Sequence, residues 1–178
     1  MIRARSHVST LLKLTLVSAC AAMAILWPTW RVALLAQSYY QEEGRMTGGG
    51  NCTVAGVKVT HGFALHCDAN DEPNNLEVNW QDETGSHRFH LDTLSNAICR
   101  PDSSGIEGQP VAGFNTYIGS GMGSYDGASG TTALWIFTDQ GEPGKGNDTL
   151  VISIMAGSET VLSIDCILEG GNHQAHPK

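Results

Sequence analysis

The sequence predicts an all-β domain, an antiparallel β-sandwich of about seven or eight strands, behind an N-terminal export segment. Three observations lead there. Apolar and polar residues alternate over short runs. Gly, Pro, Asn and Asp interrupt those runs at short spacing. Beyond residue 36 no stretch carries a 3.6-residue apolar period with helix caps. A barrel is the second architecture such a pattern allows.

Residues 1–36 read as a signal peptide or signal anchor. Arg3 and Arg5 form a basic start, and LTLVSACAAMAILW (14–27) is an apolar run of signal length. AMA (22–24) and LLA (34–36) are candidate cleavage sites, and VSAC (17–20) resembles a lipobox that would lipidate Cys20. The apolar character resumes after Pro28, so 14–36 could almost span a bilayer, with Arg31 interrupting it. Each outcome exports the domain. A polar lead follows at 37–47, and 48–178 forms the β domain.

Within that domain TVAGVKVTHGFALHC (53–67) alternates in part. NLEVNWQ (75–81) alternates cleanly, with Leu76, Val78 and Trp80 on one face. RFHLDTL (88–94) turns Phe89 and Leu91 inward, and a breaker-rich loop begins at Cys99. FNTYIGSGMGSYDG (114–127) is punctuated by glycine, as in an exposed strand or a bulged edge. TTALWIFTD (131–139) has the look of a central strand; DTLVISIM (148–155) and ETVLSIDCILEGG (159–171) complete the set.

Charge and cysteine set the environment. The first 36 residues hold four of the 10 basic residues and none of the 18 acidic ones. The remainder therefore carries six basic against 18 acidic residues, a formal charge of −12. So acidic a surface excludes nucleic acid and anionic membrane as partners, because phosphates reward Lys and Arg. Membrane contact is expected only through an uncleaved or lipidated N-terminus. Apart from Cys20 there are four cysteines, Cys52, Cys67, Cys99 and Cys166, with no CxxC pair. An even number in an exported domain predicts two disulfides. Cys67 ends one strand and Cys99 ends the strand group begun at Arg88, while Cys52 and Cys166 lie near the domain's two ends. The predicted pairs are Cys67–Cys99 and Cys52–Cys166.

VTHGFALHCDANDEPNNLEVNW (59–80) concentrates two histidines, a cysteine and four acidic side chains. A transition-metal site would recruit His61, His66, Cys67 and Asp68, with His87 or His90. Neighbouring residues of a strand point to opposite faces, and Cys67 is expected to have a cysteine partner, so surface or hydrogen-bonded histidines are the preferred reading. The loop 68–75 offers hard oxygens from Asp68, Asn70, Asp71 and Glu72, and the loop 138–148 offers Asp139, Glu142 and Asp148. Ca²⁺ takes such oxygens, but the spacing is not that of an EF-hand, and the same residues are the usual turn formers. Ordinary turns are the preferred reading and calcium the alternative.

Catalytic signatures are scarce: the chain has no GxSxG, HExxH or Walker motif. Trp80, Trp135, Phe63, Phe89 and Tyr117 could stack on a glycan, although alternation assigns most of them to a core. NCT (51–53) and NDT (147–149) match the glycosylation sequon, which matters only in a eukaryotic source.

GRMTGGG (44–50), VTHGFALHCD (59–68), NNLEVNW (74–80), RFHLDTLSNAIC (88–99), FTDQGEPGKGND (137–148) and GGNHQAH (170–176) occur in that order. As a set they resemble the C-terminal module of bacterial choice-of-anchor surface proteins, also present on other secreted bacterial proteins. The resemblance implies an exported β-rich module with no established activity, and no catalytic residue follows from it. The expected function is non-enzymatic, structural or binding, at the cell surface or outside the cell, with an envelope or matrix protein or a glycan as partner. A glycan-binding module is the first alternative and a cryptic hydrolase the second.

Overall fold

The run 53–67, continuous by composition, is broken by a two-residue turn. Ala55 and Gly56 both have positive φ (50° and 85°), the backbone that a tight hairpin of this kind requires. The turn separates β1 (Arg45–Val54) from β2 (Val57–His66). Asp126 and Gly127 (φ 50° and 84°) make the equivalent turn between β5 (Thr116–Tyr125) and β6 (Ala128–Thr138). The other strands are β3 (Asn75–Asp82), β4 (Gly85–Arg100), β7 (Thr149–Ala156), β8 (Glu159–Ile167) and β9 (Gly170–His176). This computed structural model describes residues 42–102 and 112–178. The segment 1–36, expected to be a signal or anchor, lies outside the described residues.

All neighbouring strands pair antiparallel in one sheet of order β8-β7-β6-β5-β4-β3-β2-β1-β9. Two packed sheets were expected; the pairing instead runs unbroken through a single curled sheet. Register shifts in β4, at Leu91/Thr93 and Leu94/Asn96, bend the longest strand. The curl brings the far strand β8 back to β1, where the sulfurs of Cys52 and Cys166 stand 2.09 Å apart. Those of Cys67 and Cys99 stand 2.00 Å apart. Both pairs match the sequence expectation. The Glu169 N–H donates to the Asn51 carbonyl (2.8 Å), and the Glu169 carboxylate accepts from the Thr53 backbone N–H (3.3 Å). The seam is thus closed by a disulfide, one backbone hydrogen bond and the Glu169 side chain rather than by a full ladder.

One face of every strand turns inward, as the alternation predicts. Leu76, Val78 and Trp80 are buried on β3, Phe89 and Leu91 on β4, Trp135 and Phe137 on β6, and Leu150, Ile152 and Ile154 on β7. The expectation for 114–127 is corrected: β5 is an internal strand between β4 and β6. Beyond buried Tyr117, its inward positions are Gly119, Gly121 and Gly123. A Cβ at Gly119 would lie 2.5 Å from the Trp135 indole, and one at Gly121 2.5 Å from Leu91 Cδ1. The glycines leave room for large side chains of both neighbouring strands to lie over β5. β9 is the strand that alternation misses, because GGNHQAH is polar and glycine-rich. Likewise, β1 begins at Arg45, inside the segment read as a polar lead.

Candidate functional site

In the first acidic loop the side chains fold the turn itself. Asp68 Oδ1 accepts from the Asn70 N–H (2.9 Å) and its amide (2.8 Å), which lowers the Asp68 pKa. Glu72 Oε2 accepts from the Asn74 N–H (2.9 Å), and Asn74 Oδ1 accepts from the His66 N–H (2.8 Å). Asp71 contributes its carbonyl oxygen to the Asn74 amide. Beside this loop lies a cleft of about 620 Å³, lined by Glu42, Glu43, Arg45, His66, Asp71 and Lys178 among others. Its acids face two cations, and Lys178 Nζ is 3.5 Å from Glu43.

The second acidic loop covers the free edge of β9. Alternate N–H groups of an edge strand have no ladder partner. Asp148 Oδ2 accepts from the His173 N–H (2.7 Å), and Asp139 Oδ2 from the Ala175 N–H (2.9 Å). The second Asp148 oxygen accepts from the Gln140 N–H (2.8 Å), and the second Asp139 oxygen from the Gly141 N–H (3.2 Å). Outside, Glu142 Oε1 accepts from the side-chain amides of Asn172 (2.8 Å) and Gln174 (2.9 Å). Those amides lower the Glu142 pKa, Gln174 foremost. Asp148 is fully buried; burial raises its pKa to about 6 despite the two backbone donors. These oxygens therefore hold protein N–H groups. Among the described residues no three His, Cys, Asp or Glu side chains form a group that could hold a metal ion.

Where β9 turns inward, His173 meets His61 of β2, with the Nε2 atoms 2.7 Å apart. β1 lies between those strands, and its inward positions there are Gly48 and Gly50, opposite His173 and His61 in the ladder. A Cβ on Gly48 would lie 2.8 Å from His173 Cα, so the glycines of TGGGN open the passage in which the imidazoles meet. Phe63 and Phe137 enclose the pair, their ring centroids 5.1–5.9 Å from the two imidazoles. Burial holds both rings well below the ordinary histidine range, His61 at about 3 and His173 at about 4.

A third cluster sits at the β3–β4 turn. His87 Nδ1 is 2.8 Å from Asp126 Oδ2, and its Nε2 is 2.8 Å from Thr84 Oγ1. An Asp–His–Thr line resembles an activated nucleophile. The protons argue otherwise. Thr84 donates its hydroxyl hydrogen to Asp82 Oδ1 (2.6 Å), so the imidazole must donate at Nε2 as well as at Nδ1. His87 lies between two carboxylates, and the Asp126 bond foremost raises its pKa, which favours the protonated ring over the neutral one that a base requires. His66 and His90 also stay apart, on β2 and β4 with β3 between them.

The aromatic candidates are buried: Trp80, Trp135, Phe63, Phe89 and Tyr117 each show 6% or less of their surface, leaving no face for a sugar. Sequence reasoning overlooked His173, His176, Asn172 and Gln174. Two signals could have raised them: alternation within NHQAH, and the recurrence of GGG and GG in segments that must pack closely. Comparison with protein-family models, curated proteins and solved structures finds no match to this chain.

Proposed function

We propose that the chain is an exported, non-enzymatic β module with a structural or binding role at the bacterial cell surface or in the matrix. The observation that carries this reading is the placement of the two cysteine pairs. One joins the edge strand β8 to β1, next to the opposite edge, and the other, just beyond β2, reaches β4, which suits an oxidising exterior. The resemblance to the choice-of-anchor module and the acidic surface support the same setting. The burial of Trp80, Trp135, Phe63, Phe89 and Tyr117 weighs against the glycan-binding alternative.

Fractionation of bacteria expressing the full chain tests the proposal. The expected outcome is an exported product, with the N-terminus after Ala24 or Ala36 or a lipid on Cys20, and with Cys52, Cys67, Cys99 and Cys166 all oxidised. A cytoplasmic product with four free thiols overturns it. A glycan-array signal would move the reading to the first alternative.

A further inference from the structure

Two neutral imidazoles together carry two N–H groups and two lone pairs, and the surroundings of His61 and His173 assign all four. His173 Nδ1 lies 3.0 Å from the Thr138 carbonyl oxygen, which can only accept, so one hydrogen is on that nitrogen. His173 Nε2 is then the acceptor of the 2.7 Å contact, and His61 Nε2 the donor. The remaining lone pair is on His61 Nδ1, a buried atom with no hydrogen-bond partner. The Gly50 backbone favours a charge there weakly, without reaching hydrogen-bond geometry.

A further proton has no good place in this arrangement. On His61 Nδ1 it makes a buried cation whose one nearby acceptor, the Gly50 backbone, lies outside hydrogen-bond geometry; on His173 Nε2 it sets two N–H groups against each other. Val78 of β3 pairs with His61, Phe63 and Phe137 stack around it, and β1 contributes Gly48 and Gly50. The carboxylates nearest the pair face backbone instead of the rings: Asp148 the His173 N–H and Asp139 the Ala175 N–H, with Glu142 on the outer amides. Asp148 titrates in the opposite sense, since its buried carboxyl takes up a proton more readily in the folded chain, and it offsets part of the effect.

The strand that depends on this contact is lightly held. β9 has seven residues, pairs only with β1, and buries one side chain completely, that of His173. The N–H groups of its other edge rest on Asp148 and Asp139, while Glu142 and the Gly144 N–H hold the Asn172 side chain and Glu142 that of Gln174. We propose that the His61–His173 pair is an acid-sensitive latch: a proton entering it breaks the Nε2–Nε2 bond and frees β9 while the rest of the sheet stays folded. The Cys52–Cys166 bridge lies before β9, and buried Leu168 and the Glu169 N–H bonded to Asn51 hold the chain up to there, so release begins after Glu169 and leaves β8 tied to β1.

Hydrogen exchange read by mass spectrometry, corrected for intrinsic rates, tests this on the disulfide-intact protein. Between about pH 7 and about pH 5, exchange in 170–176 should rise at least about tenfold while 149–156 stays protected. His61→Gln should blunt that rise, because an amide can turn its oxygen toward a protonated His173. His173→Asn, which keeps a donor for the Thr138 carbonyl and removes Nε2, serves if the first variant fails to fold. The latch is overturned if 170–176 ignores pH, if β7 loses protection at the same pH, or if both variants respond like the parent.

Discussion

Replacing Cys52 and Cys166 together by alanine removes the covalent closure of the seam. The bridge spans 114 positions, against 32 for Cys67–Cys99. In the chain-entropy description a loop of that length is worth about 5 kcal/mol, and the shorter one about 4 kcal/mol. The difference of about 1 kcal/mol depends only on the ratio of loop lengths. A typical domain is stable by about 5–15 kcal/mol, so C52A/C166A should lose a large part of its margin. The remaining ties across the seam are the Glu169 contacts to Asn51 and Thr53, and that to Thr53 is exposed. Urea unfolding of the parent, C52A/C166A and C67A/C99A under non-reducing conditions measures these losses. A loss within about 1 kcal/mol for C52A/C166A would refute the reasoning, because the curl would then hold by strand pairing alone. Non-reducing peptide mapping of the parent checks the premise, and a Cys52–Cys67 link would remove it.

Other outcomes follow from single sites. Gly119→Ala should cost about 1–3 kcal/mol in urea unfolding, because the new methyl meets the Trp135 indole. Asp148→Asn should cost about 1–3 kcal/mol at neutral pH, since one amide oxygen replaces two acceptors holding His173 and Gln140. Its pH profile should also steepen. In the parent, folded Asp148 binds a proton below about 6 that the unfolded chain leaves free, so acidification toward 4 adds stability, and the variant loses this gain. His61 and His173 act oppositely: the unfolded chain binds protons below 6.5 that the folded pair resists, so stability falls on acidification through that range. Urea midpoints across the acid range check both signs. The His87 ring should titrate above the ordinary histidine value by NMR, and Asp126→Asn should bring it down. EDTA should leave the melting temperature unchanged, because the loop oxygens already hold N–H groups; a drop restored by calcium would reinstate the metal reading.

Features that depend on neighbours along the chain were legible from residue order. Alternation assigned Leu76, Val78 and Trp80 to one face and made Trp135 a core residue, because the pleat alternates with the residues. The two cysteine pairings followed from which strands the cysteines end. Tertiary structure decided what depends on strands far apart. The curl into one sheet arises from accumulated twist, bulges in β4 and glycines in β5, none of which states where β8 will meet β1. GGNHQAH contains too little apolar material to show as a strand, and becomes one because β1 offers an edge and Asp139 and Asp148 hold its outer N–H groups. The same carboxylates look like calcium ligands in one dimension, since turn formers and metal ligands are the same residue types. His61 and His173 stand 112 positions apart, and only the bare backbone of Gly48 and Gly50 between their strands lets them touch.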